Sequence, residues 1–257
     1  MNWQQVKGLL IDLDGVIYID EQPISGAVET IHWLKENGYP VAFVTNTSNK
    51  SIATIHKSLI TMGIPVEPDE IISAAYATAL FVKKERYERC FAIVDGEVKP
   101  DFEGTRLVEE NADAVVIGDI GRNWNYDLVN RAFNELMNGA DLIAMHKGAS
   151  WQTSEGLRLD IGAYVAGLEY AAGKEAEIVG KPNASFFRMA LNKIGVAADE
   201  AVMIGDDINS DVGGALKNGL CGVQVKTGKY RPETMEQSPV EPDDLLESIA
   251  DLPERFS

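Results

Sequence analysis

The chain has 257 residues, 45% of them hydrophobic, enough for one folded core or for a core plus an insert. Its 40 acidic residues outnumber the 23 basic ones, and the formal net charge of -17 argues against nucleic acid or anionic lipid as a partner. Cys90 and Cys221 are too few for a disulfide framework, and no run approaches the length that spans a bilayer, so the expectation is a soluble, cytoplasmic protein.

In chain order, "VKGLLIDL" predicts a strand, apolar without alternation and hence buried on both faces. "SGAVETIHWLKENG" predicts a helix with Ser25 as its cap and Gly38 as its stop. "PVAFVT" is the next strand, and "SIATIHKSLITMG" the next helix, with Ile52, Ile55, Leu59 and Met62 on one face. The middle of the chain alternates again: strands at "CFAIVD" and "ADAVVIG", a helix at "YDLVNRAFNELMNG", a strand at "DLIAMH" and a helix at "IGAYVAGLEYAAG". Late in the chain follow a helix at "SFFRMALNKIG", a strand at "AVMIG", a helix at "DVGGALKNG" and a strand at "CGVQV". Strand–helix alternation of this kind specifies an α/β fold, a doubly wound parallel sheet covered by helices. We read 1–74 as the first part of that core, 75–178 as a second, inserted α/β unit, and 179–257 as the rest of the core.

Four polar constellations each follow an apolar run, and so stand at the C-terminal edge of a parallel sheet, where open α/β sheets bind ligands. They are Asp12 with Asp14, Thr45 with Asn46, Lys181 in "GKPN", and Asp206, Asp207 and Asp211 in "GDDINSD". Five carboxylates converging on one edge cannot all stay ionised unless a cation joins them. Oxygen-only ligands suit a hard cation, Mg2+. The histidines His32, His56 and His146 are scattered and read as surface or packing residues, which argues against zinc. Lys181 offers a point charge for a phosphoryl oxygen, and Thr45 a hydroxyl beside the backbone N–H groups of the following loop. Carboxylate, divalent metal, lysine and hydroxyl are the parts that stabilise a transferring phosphoryl group, and a carboxylate can itself attack phosphorus.

Asp and Gly are ordinary turn residues, so "DLDG" alone identifies nothing. It fails as a calcium loop, because Ile17 stands where a Gly is required. "VKTGKY" fails as a nucleotide-binding loop, because Tyr230 replaces the required Ser or Thr. The joint order of all four constellations on strand ends is what carries weight.

That order resembles the four motifs of the haloacid dehalogenase superfamily of phosphohydrolases: Asp12-Leu13-Asp14-Gly15, Thr45-Asn46, Gly180-Lys181-Pro182, and Gly205-Asp206-Asp207 through Asp211. The resemblance extends to the class IIA members with a mid-chain cap, which include NagD-like phosphatases, 4-nitrophenyl phosphatases and the phospholysine phosphohistidine inorganic pyrophosphate phosphatases. It implies a Rossmann-like core with an inserted cap of the C2 type. It implies Asp12 as nucleophile and metal ligand, and Asp14 as proton carrier whose backbone carbonyl binds Mg2+. Thr45, Asn46 and Lys181 would bind the phosphoryl group, Asp206 the metal, and Asp207 and Asp211 would support it. The implied substrate is a small phosphorylated metabolite, and caps of this subclass suggest a homodimer. The chain departs from the pattern at His146-Lys147-Gly148, where relatives carry an Asn-Pro-Asp-like segment, and at Leu159-Asp160-Ile161-Gly162. Of the cap side chains, Lys147, Trp151, Arg158 and Tyr164 read as packing or surface residues. A phosphotransferase or mutase would use the same core. A phospho-accepting signalling domain also combines acids, Thr and Lys, but in reversed order and in about half this length.

Overall fold

The computed structural model describes residues 1–153 and 156–256. Strand β1 (Gly8–Ile11) is followed by a short hairpin, β2 (Tyr18–Ile19) with β3 (Gln22–Pro23), then by β4 (Val41–Thr45) and β5 (Ile71–Ser73). The middle of the chain supplies β6 (Arg89–Ile93), β7 (Arg106–Leu107), β8 (Ala114–Ile117), β9 (Asp141–Ala144), the hairpin β10 (Ser150–Thr153) with β11 (Gly156–Leu159), and β12 (Glu177–Ile178). Then come β13 (Ala201–Gly205), β14 (Cys221–Val225) and β15 (Asp244–Leu246).

Two parallel sheets result. The first runs β15-β14-β13-β1-β4-β5, the second β12-β9-β8-β6-β7. Every residue of β1, β4 and β13 is buried, as continuous apolar runs in a sheet covered on both faces require. In the first sheet the chain leaves β1 toward β4 on one side, while β13 lies on the other. That reversal makes the carboxyl ends of β1 and β13 the crevice where such sheets take ligands.

One apolar cluster joins the two sheets. It holds Leu10, Val44 and Met203 from the first, Cys90, Val116 and Ile143 from the second, and Phe186 and Phe187 from the helix Ala184–Ile194. Fully burying side chains of this size stabilises by about 1.5–3 kcal/mol each. The helix Ala74–Lys84 contributes Ala74, Ala75, Ala77, Ala79 and Val82 to the same cluster. Sequence patterning did not single it out, because a run of alanines gives little contrast between faces. No helix among the described residues is long and apolar enough to cross a membrane.

Two local expectations need correcting. The helix Ala27–Glu36 is not capped by Ser25. Its N-cap is Gly26 at φ 81°, without a side-chain cap bond, because a Cβ there would meet Ala250 Cβ at 2.5 Å. The segment "DVGGALKNG" is not one regular helix. A wide turn spans Ile208–Gly213, with Val212 N–H donating to the Asp207 carbonyl, before the short helix Gly214–Lys217. The wide turn tucks Asp211 beneath β13, so close to Gly205 that a Cβ there would lie 2.2 Å from the Asp211 Cβ.

Candidate active site

The four constellations meet at the carboxyl edge of the first sheet. Asp12 follows β1, its backbone N–H donating to the Ile204 carbonyl of the neighbouring strand. Its Oδ1 accepts from Leu13 N–H at 2.8 Å and lies 2.8 Å from Lys181 Nζ. Lys181 is fully enclosed. Its ammonium also lies 2.8 Å from Asp211 Oδ1 and donates to the Val44 carbonyl at 3.2 Å. All three of its hydrogens thus face oxygen. Burial alone would lower this lysine, but Asp12 and Asp211 outweigh it and hold the charge well above the ordinary lysine range.

Asn46 explains how Lys181 is held. Its Oδ1 accepts from Lys181 N–H at 2.9 Å, and its Nδ2 donates to the Lys181 carbonyl at 3.0 Å. The amide is thereby engaged at both ends by backbone. Thr45, buried at the end of β4, shares a 2.8 Å hydroxyl contact with Thr47 and accepts Thr47 N–H at 3.1 Å.

Asp206 is buried and Asp211 is wholly so. Loss of water raises both carboxyls above the ordinary range, and mutual repulsion with Asp12 adds to it. Asp12, Asp206 and Asp211 each offer an oxygen, and these three atoms lie within 4.8 Å of one another. Asp206 Oδ2 accepts Lys229 N–H at 2.7 Å, while its Oδ1 is buried without a hydrogen-bond partner. An orphaned buried carboxylate oxygen beside two further carboxylates fits a hard divalent cation. The backbone closes on the other oxygen: at Gly15 (φ 82°) and Gly228 (φ 58°) a Cβ would lie 2.0 Å from Asp206 Oδ2. Asp207 stands apart from the trio. Its Oδ1 accepts from Asn209 and Ser210 N–H at 3.0 Å, capping the wide turn, and its carboxyl is lowered despite burial, by Lys229 and those N–H groups.

Asp14 differs from the rest. It is open to solvent, yet protein surrounds it closely enough that lost hydration pushes its carboxyl up against the pull of Lys50, Lys229 and Lys181. It belongs to a recess rather than to the interior. Lys229 is the second exposed group in that recess, 3.6 Å from Asp207 Oδ2. Its charge is felt by Asp14 and Asp206 on one side and by His146 and Asp160 on the other. Sequence reasoning set its segment "VKTGKY" aside as a failed nucleotide loop and, although the stretch also fits the family resemblance, gave Lys229 no role. The available signal was its position after "CGVQV", the strand β14 that pairs with β13 in the same sheet. The loop is fastened by Thr227 Oγ1, which donates to the Gly15 carbonyl.

His146 is not a surface residue. It is buried, with Nε2 3.2 Å from Ser48 Oγ. Among the other cap side chains, Tyr164 stacks on Trp124 with ring centroids 3.9 Å apart, Lys147 pairs with Glu169, and Arg158 lies over the Trp151 ring.

Comparison with known proteins agrees with this geometry. The family model described as haloacid dehalogenase-like hydrolase matches residues 9–107, and a second, described as HAD-hydrolase-like, matches residues 178–252. The phospholysine phosphohistidine inorganic pyrophosphate phosphatase of Homo sapiens is 38% identical over 252 residues, covering 96% of this chain and 92% of the relative. The human haloacid dehalogenase-like hydrolase domain-containing protein 2 is 38% identical over 232 residues, 90% of this chain and 88% of its own. Among solved structures, the 4-nitrophenylphosphatase of Thermotoga maritima superposes with a TM-score of 0.92 at 28% identity, covering 99% of this chain and 98% of that one. NagD from Escherichia coli gives 0.87 at 26% identity, covering 98% of each chain.

Proposed function

We propose, for a chain that belongs to the haloacid dehalogenase-like hydrolases and to their class IIA phosphatases, a Mg2+-dependent hydrolysis of a small phosphorylated metabolite through an aspartyl-phosphate. The observation that carries this reading is the trio Asp12, Asp206 and Asp211, one of whose buried oxygens has no protein partner, set against the enclosed cation Lys181.

Asp12 is the nucleophile. Its carboxylate attacks phosphorus, the bond to the leaving oxygen breaks, and Asp14 delivers a proton to that oxygen. Asp14 suits the task because its recess favours the protonated acid while leaving it open to an incoming substrate. In the second half-reaction Asp14 takes a proton from water as the water attacks phosphorus, which frees Asp12 and releases inorganic phosphate. Asp12, Asp206 and the Asp14 backbone carbonyl would hold the Mg2+, with Asp211 beside them. Its charge, when bound, offsets the crowded carboxylates and the phosphoryl oxygens.

Thr45 takes a phosphoryl oxygen through its hydroxyl, and Lys181 takes another by turning toward it the hydrogen it gives Asp12 in the free protein; Asn46 aims Lys181 by bonding its backbone on both sides. Asp207 caps the turn that carries Asp211, and so acts on the site through the backbone. Residues 1–74 and 179–257 are the catalytic core in this reading, and 75–178 the cap that selects the leaving group. The test is direct. Purified protein should hydrolyse 4-nitrophenyl phosphate with Mg2+ and not after chelation, and Asp12→Asn should abolish turnover. Activity that survives either change would overturn the reading.

A further inference from the structure

The carboxyl edge of the second sheet meets the loop that leaves the phosphoryl-binding strand. Ser48 and Asn49 follow Thr45 and Asn46 after β4. Asp119 follows β8 and His146 follows β9. Three hydrogen bonds cross between them: His146 Nε2 with Ser48 Oγ at 3.2 Å, Asp119 N–H to Ser48 Oγ at 3.2 Å, and Asn49 Nδ2 to Asp119 Oδ2 at 3.0 Å. The junction is close-packed at Gly118, where a Cβ would sit 2.8 Å from Met145 Sδ and 3.2 Å from the Ser48 carbonyl.

The roles within this junction follow from donors and acceptors. Gly148 N–H donates to His146 Nδ1 at 3.2 Å, so the ring proton lies on Nε2 and is directed at Ser48. Ser48 Oγ therefore accepts twice, from His146 and from Asp119. Both Ser48 and His146 are buried, at 3% and 5% exposure, so water does not replace a bond that is lost. Asp160 Oδ1 stands further from the ring, at 3.8 Å, and is held by Ile161 N–H at 2.7 Å.

We propose that His146 is a positioning residue: through Ser48 it latches the cap onto the Thr45–Asn49 loop and holds that loop in its phosphate-binding geometry. The proposal rests on the phosphatase reading for its effect on substrate, but the latch itself is a property of the free protein. A loosened latch leaves fewer molecules with the loop formed, and the apparent affinity falls by that fraction. Once substrate saturates the site, turnover recovers. The signature is a raised KM at near-constant kcat.

The test compares His146→Leu, which removes the donor, with His146→Gln, which returns one, and with Ser48→Ala as an independent break. The expected result is a KM for 4-nitrophenyl phosphate about tenfold higher in His146→Leu and in Ser48→Ala, with kcat within about threefold, and recovery in His146→Gln. The double variant should be no worse than either single one. Unchanged KM in a folded His146→Leu protein, or additive losses in the double variant, would overturn the latch. Hydrogen exchange of the Asp119 and Gly148 amides in unligated protein reads the same contact without any substrate. His146→Leu should speed both about tenfold, and unchanged exchange would overturn the proposal. An inactive wild-type protein with this exchange pattern would sink the phosphatase reading and leave the latch standing.

Discussion

The two parallel sheets turn their carboxyl edges toward each other and furnish them differently. The edge of the first sheet is ionic: one enclosed lysine faces Asp12 and Asp211, with Asp206 beside them. The edge of the second meets the loop after β4 through hydrogen bonds instead: buried His146 and the Asp119 backbone N–H reach the Ser48 hydroxyl, and the Asp119 carboxylate accepts from Asn49. Buried charge is costly, so the first edge tolerates little substitution, and every group on it needs its counterpart. Single hydrogen bonds each contribute less than a buried ion network, and the second edge can be altered without collapse.

The largest effect belongs to the ionic edge. Asp12→Asn should lower the rate of 4-nitrophenyl phosphate hydrolysis by at least about a thousandfold, since it removes the nucleophile outright. A loss of less than about tenfold would break the contrast between the edges. Lys181→Met comes next. It strands two buried carboxylates, and urea denaturation near neutral pH should report a loss of about 3–5 kcal/mol. Lowering the pH should recover part of that loss, because burial already raises the Asp211 carboxyl to about 7 and protonating it removes stranded charge. Gly228→Ala should follow, weakening Mg2+ activation by about tenfold or more, because its Cβ has no room beside Asp206 and φ 58° disfavours a side chain.

At the second edge the effects are smaller and depend on pH. Burial lowers His146 to about 4, assisted by Lys229 and Lys181 and opposed by Asp119. Burial raises Asp160 to about 6, aided by Asp119 and opposed by Ile161 N–H and Lys229. A depressed histidine favours the unfolded chain as pH falls from 6.5 toward about 4, because the unfolded chain takes up the proton first. A raised carboxyl does the reverse, and its stabilisation fades as pH climbs from 3.8 through about 6. In the wild-type protein the two trends oppose each other. His146→Gln removes the first and keeps the second. Its stability deficit against wild type should therefore shrink by about 2 kcal/mol between about pH 7 and about pH 5, read by urea denaturation. A deficit that grows on acidification would contradict the neutral, buried state of this histidine.

The same contrast governs how much the sequence disclosed. Strands buried on both faces write themselves as apolar runs, so β1, β4, β13 and β14 were legible, and with them every acid at their ends. The two-residue strands β7 and β12 and the three-residue β5 and β15 are too short to carry a period, and pairing with neighbours defines them. Charged groups crowded on strand ends announce chemistry. A lone histidine on an apolar stretch does not, and His146 became visible only when Ser48, ninety-eight positions away, was seen beside it. Lys229 was hidden for another reason. Its loop failed as a nucleotide loop and fitted the family resemblance only as a stretch, so Lys229 itself received no role, although its position on the sheet edge was already in the strand pattern.

The central claim is that Asp12 carries the phosphoryl group. Acid quenching during turnover of 4-nitrophenyl phosphate with Mg2+, followed by borohydride reduction and peptide mass spectrometry, reads it directly. The account predicts homoserine at position 12 in the wild-type protein and none in Asp14-only controls that carry Asp12→Asn. An unmodified Asp12 in a protein that turns over, or the label at any other residue, would contradict it.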